Sequence, residues 1–185
     1  MKTKQELFGE RLGRIKAAVA LQDVDRVPVV ILNDMFAAQH MGVKLSDFCG
    51  DYRLSNETMV KSALDVGEID AVQMPVNYPE VLSLIYYAKV KLPGRELPED
   101  SLWQIDEREL MTVEDYDFII EHGWNAFTGM YMEKRLDNLM ARLGPFFMFG
   151  GEAAMRFIKE GIVVLSPSGY GTPIEAFCGG RTMAK

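Results

Sequence analysis

The chain has 185 residues, 25% of them charged and 48% hydrophobic, with a formal net charge of -7. That length suits one domain with a real core. The negative balance argues against a nucleic-acid or anionic-membrane surface, and no run approaches the roughly 20 apolar residues of a membrane span.

The N-terminus carries no apolar signal-like stretch, and Cys49 and Cys178 are too few for a disulfide framework. A reducing cytoplasm is the expected setting. The 12 methionines suit either adaptable core filling or a plastic pocket.

Residues 3–22 are predicted to form an amphipathic helix. Thr3 and Glu6 fit a capping box, and Phe8, Leu12, Ile15 and Val19 share one face. This helix is placed to close the bottom of a barrel.

The stretch Asp25-Arg26-Val27-Pro28-Val29-Val30-Ile31-Leu32-Asn33-Asp34 turns a charged corner into an apolar, β-branched run. Such a run reads as a strand buried on both faces. Chemistry in parallel-sheet enzymes sits at the carboxyl ends of strands, which singles out Asn33 and Asp34. The competing reading is that the pair caps the following helix.

Short helical pieces follow over 35–41 and 45–52, the first stopped by Gly42. Ser55 or Asn56 is expected to cap a helix bearing Met59, Val60, Ala63 and Leu64, which ends at Gly67. Ile69-Asp70-Ala71-Val72-Gln73-Met74 is the second strand, stopped by Pro75, with Asn77 and Tyr78 in the loop beyond. Strand, helices, strand is a βαβ unit, so the sheet is expected to be parallel.

Residues 87–106 alternate on either side of Leu92-Pro93-Gly94-Arg95, which predicts an inserted β-hairpin. It either covers a ligand or is a solvated decoration. Tyr86, Tyr87 and Trp103 either stack on a planar ligand or form cross-strand pairs.

Thr112 to Asp115 caps a helix bearing Tyr116, Ile119 and Ile120, closed by His122 and Gly123. His122 there complements the helix dipole. A longer helix is expected over 125–143, broken by Gly144-Pro145. Phe146 to Phe149 form core or pocket wall, and a helix over 151–160 stops at Gly161. Ile162-Val163-Val164-Leu165-Ser166 is the third buried strand. Ser168, Tyr170 and the helix start at Thr172-Pro173 then gather hydroxyls and amides suited to an anionic group.

Asp25-Arg26-Val27-Pro28-Val29, preceded by Arg11-Leu12-Gly13-Arg14-Ile15-Lys16-Ala17-Ala18, resembles the opening of the uroporphyrinogen decarboxylase superfamily. Gly67-Glu68-Ile69-Asp70-Ala71-Val72 resembles its second strand, and Glu175 to Arg181 the segment after a later one. The resemblance implies an α/β fold: the N-terminal portion of a (β/α)8 TIM-type barrel, with parallel strands, a leading helix over 1–22 and a hairpin excursion over 87–106. Such a barrel takes about 250 residues, so residues 1–185 are expected to be one incomplete domain. A small complete α/β sandwich is the alternative.

The family's decarboxylases carry an arginine-rich motif after the first strand to hold propionates. Here Asn33-Asp34-Met35-Phe36-Ala37 has no arginine, and Asn77 stands where they carry an aspartate. The resemblance therefore leans to the cobamide-dependent methyltransferase branch, which moves a methyl group from a methylcorrinoid to a small thiol or other acceptor. Tetrapyrrole decarboxylation and a non-catalytic half-barrel are the other readings.

That branch uses zinc held by His-x-Cys and a distant Cys. This chain has no His-x-Cys, so the resemblance places corrinoid and zinc with a full-length protein and the zinc ligands beyond Lys185. Cys49 and Cys178 then read as small buried hydrophobes. The residues offered as pocket wall are Asn33, Asp34, Asn77, Tyr78, Ser168 and Tyr170. The expected partner is a small molecule or a corrinoid protein, with a homodimer also compatible.

Overall fold

The computed structural model describes residues 2–73, 83, 88–107, 109 and 111–165. These fall into two compact units, one built from residues 1–77 and 149–185, the other from 78–148.

The first unit opens with helix α1, Lys4–Val19, and the Thr3–Glu6 capping box is formed as its spacing requires. Strand β1, Val30–Ile31, leads into α2, Met35–His40, then α3, Leu45–Gly50, and α4, Tyr52–Val66. Strand β2 is Ala71–Val72. The three parallel strands lie in the order β1, β2, and a last strand at Val163–Val164. Fold class is therefore α/β, with each strand added beside its predecessor.

Helix α1 packs on β2 and the last strand and reaches the segments that lead into all three strands. Arg14 reaches Asp25 and Asp70, just ahead of β1 and β2, and Arg11 Nη1 donates to the Gly161 carbonyl at 2.8 Å, just ahead of the last strand. Ile15 seals this crossing against Ala71 and Val163, with Phe8, Leu12 and Leu165 packed around it. Burying such a side chain is worth about 1.5–3 kcal/mol. Val19, expected on the same face, stands 72% exposed past the end of the sheet.

Two expectations change here. Helix α4 is capped by Asp51, whose side chain accepts from the Arg53 and Leu54 amides, so Ser55 and Asn56 are buried within the helix. The first strand is not buried on both faces: Val27 is 79% and Leu32 56% exposed. β1 is the edge of the described sheet, and only its β2 side is covered.

The second unit holds β3, Val90–Lys91, paired antiparallel with β4, Gln104–Ile105, which is the expected hairpin. Three helices follow: α5, Val113–His122, α6, Trp124–Lys134, and α7, Leu139–Arg142. The continuous helix expected over 125–143 is split because Asp137 and Asn138 take positive φ. Phe127, Tyr131, Leu136, Leu139 and Leu143 form the core, with Phe118 and Ile119 of α5 packed on it. Tyr116 and Ile120 of the same helix are exposed.

The helical pattern breaks here as expected: α7 ends at Arg142, and a new helix, α8, Gly144–Lys159, begins at Gly144, earlier than the expected start at 151. Proline suits a first turn, where its missing N–H costs no bond. The side chains of Phe146 to Phe149 lie outside the described set. Gly161 ends the approach to β5, the strand at Val163–Val164, with a φ of 77°.

Candidate functional site

The carboxyl ends of the parallel strands place Asn33 and Asp34 after β1, Gln73 after β2 and Leu165 at the end of β5. The ladder holds these ends together: the Gln73 amide donates to Ile31 O at 3.0 Å and the Leu165 amide to Val72 O at 2.9 Å. Asn77, Tyr78, Ser168 and Tyr170 lie outside the described residues, as do Tyr86, Tyr87 and the Thr172-Pro173 helix start.

Asn33 and Asp34 part company. Asn33 turns inward, is fully buried, and donates from Nδ2 to the Met59 carbonyl of α4 at 2.5 Å. Among the described residues its Oδ1 has no hydrogen-bond partner. That bond orients the amide, so Oδ1 is left as an acceptor for an N–H or O–H group. Asp34 sits half-buried at the start of α2, where its side chain makes no capping bond to the helix. The capping reading thus fails for both side chains, by different routes.

The inward face of α4 was missed by hydrophobic patterning because it is largely polar. Ser55, Asn56, Thr58 and Ser62 are all buried there, beside Met59 and Ala63. Asn56 Nδ2 donates to the Ala153 carbonyl at 3.5 Å, and Ser62 Oγ, like Asn33 Oδ1, has no partner among the described residues. Buried polar atoms are normally paired. The sequence signal was the hydroxyl repeat Ser55–Ser62, two helical turns apart on one face.

The opposite end of the sheet carries the charges. Arg14 Nη1 lies 2.5 Å from Asp70 Oδ1, and Arg14 Nε lies 2.6 Å from Asp25 Oδ1. Arg26 Nη1 lies 2.6 Å from Asp70 Oδ2, which also accepts the Val29 amide at 2.8 Å. Burial pushes the Asp70 carboxyl up, but the Val29 amide and the two guanidinium groups outweigh it and hold the carboxyl below its ordinary range. The Arg14 hydrogen bonds pull Asp25 down to about 2. These four residues come from three of the four segments on which the resemblance was read, and together they bind helix to strands.

Remaining candidates are engaged elsewhere. His40 Nε2 lies 2.9 Å from Asp65 Oδ2 while its ring stacks on Phe36. Cys49 is buried, with Sγ 3.6 Å from Met35 Sδ, as a small hydrophobe would be. Among the described residues, no group of three or more His, Cys, Asp or Glu side chains is placed to hold a metal ion. No described helix is long and apolar enough to cross a membrane.

Compared with known proteins, the chain matches no family model, no curated sequence and no solved structure.

Proposed function

We propose that this chain is the opening portion of a (β/α)8 barrel of the uroporphyrinogen decarboxylase-like type, and that it serves methyl transfer from a methylcorrinoid to a small thiol or related acceptor. One observation carries the reading. The residues on which the resemblance rests, Arg14, Asp25, Arg26 and Asp70, meet in one ion network under the amino ends of consecutive parallel strands. A motif whose charges satisfy one another serves the scaffold. It leaves the carboxyl ends for chemistry, as in barrel enzymes.

The barrel reading draws further support from β1. The exposed Val30 of the strand, with Val27, Val29 and Leu32 flanking it, is the surface that further strands and helices of a closed barrel would cover. Helix α1, lying across the amino ends, suits a barrel floor.

Charge separates the two chemistries. The residues following β1 offer an amide at Asn33 and a carboxylate at Asp34, and Asn33-Asp34-Met35-Phe36-Ala37 holds no cation. A polyanionic porphyrinogen would meet no guanidinium in this stretch, which suits the neutral amide rim of a corrinoid better. The described His, Cys, Asp and Glu residues are not grouped as zinc ligands, and this reading puts any zinc ligands outside residues 1–185.

The test is binding of methylcobalamin and of uroporphyrinogen to the protein, followed by mass spectrometry of a simple thiol incubated with it. Methylcobalamin binding, with methylated thiol formed, is the expected result. Turnover of uroporphyrinogen instead, or no binding of either, overturns it.

A further inference from the structure

Helix α5 of the second unit has two apolar faces. Phe118 and Ile119 pack inward on the core. Val113, Tyr116 and Ile120 recur at the i, i+3, i+7 spacing of one helix face, and they are 73%, 58% and 83% exposed. A single exposed apolar residue carries little information, but a stripe at helical spacing is a contact surface.

A second row runs beside the first, one residue on at each step: Glu114, Asp117 and Glu121, all exposed. An apolar stripe edged by a row of carboxylates selects its occupant by charge. A second copy of this chain would bring the same acidic row and a net charge of -7 against it. An anionic bilayer would be repelled likewise. A helix with an apolar stripe flanked by lysine or arginine satisfies both rows at once.

The geometry points to α5 as a docking face for a basic amphipathic helix of a partner protein. Its apolar stripe supplies the affinity and its acidic row the orientation and choice of partner. This inference stands apart from the methyl-transfer reading, because it rests on the second unit alone.

The experiment uses the full chain and two labelled helical peptides, one patterned leucine–lysine and one leucine–glutamate, with binding read by fluorescence anisotropy. The leucine–lysine peptide is expected to bind at least ~10-fold tighter, and more weakly as salt rises. Ile120→Ser and Tyr116→Ser should each weaken it by about 10-fold. Both side chains are mostly in solvent, so circular dichroism should show an unchanged fold. Reversing the row with Glu114→Lys, Asp117→Lys and Glu121→Lys together should reverse the peptide preference. Equal affinity for both peptides, or full binding by Ile120→Ser, overturns the proposal. So does a dimer in sedimentation equilibrium, or binding to phosphatidylcholine vesicles, that Ile120→Ser abolishes.

Discussion

Arg14 and Asp70, 56 residues apart in sequence, form a buried ion pair that ties the first helix to the start of the second strand. Asp70 is fully buried and holds a second guanidinium, that of Arg26. Replacing a buried member of such a network leaves the opposite charge uncompensated, at a cost of about 3–5 kcal/mol. Asp70→Asn keeps the shape and removes the charge. Arg26 remains partly solvated, so the expected loss lies near the lower end, about 3 kcal/mol. A urea unfolding curve shifted to a lower midpoint checks this, and an unchanged midpoint would refute it.

Acid should act on the same network. The folded-state Asp25 carboxyl is lowered from 3.8 to about 2, and Asp70 is lowered as well. A carboxyl depressed by folding adds stability above its unfolded pKa and loses it as pH falls through the folded one. Stability should therefore be level above roughly pH 5 and decline from about pH 4 toward 2. Asp70→Asn should flatten that decline, as read from unfolding midpoints across the pH series.

Asn33 offers a prediction with the opposite slope. Its amide anchors the end of β1 to α4 through Met59 O. Asn33→Ala should cost about 1–3 kcal/mol by leaving that bond unmade. Asn33→Asp should cost more at neutral pH, because it buries a carboxylate beside a carbonyl with no cation near it on the strand. Its pKa is then raised by burial, so the deficit should shrink as pH is lowered through it. A deficit independent of pH would show that the side chain escapes to solvent.

Gly161 is required by geometry. Its φ is 77°, and a Cβ there would come within 2.7 Å of the Lys4 carbonyl oxygen. That oxygen belongs to backbone and cannot step aside cheaply. Gly161→Ala should destabilise by about 1–3 kcal/mol through strain and displacement of α1. Gly13, exposed within α1 with open space around it, is the control. Gly13→Ala should stabilise by about 0.5–1 kcal/mol through helix propensity. Thermal melting of the two variants should shift in opposite directions.

Local features of the fold were legible where the deciding contacts lie within one turn. The Thr3–Glu6 and Thr112–Asp115 capping boxes and the helix stops at Gly42, Gly67 and Gly123 follow from side chains three residues apart or from a positive φ. The hairpin over 87–106 was legible from its alternation. The candidate site was less so. Asn33 was found from its place after an apolar run, but the α4 hydroxyls that surround its anchor look like surface residues in any hydropathy pattern.

The sequence by itself determined that helices and β-branched segments alternate, where most of them stop, and that the strands of the larger sheet run parallel. Those outcomes depend on periodicity, capping and chain connection, which neighbouring residues settle among themselves. Only the tertiary structure decided that Arg14, Asp25, Arg26 and Asp70 neutralise one another, that Asn33 turns inward while Asp34 does not, and that Val27, Leu32 and Ile120 stay uncovered. Each of these depends on which distant segment arrives as a neighbour. An apolar or charged side chain looks the same in sequence whether or not its partner is there to bury it.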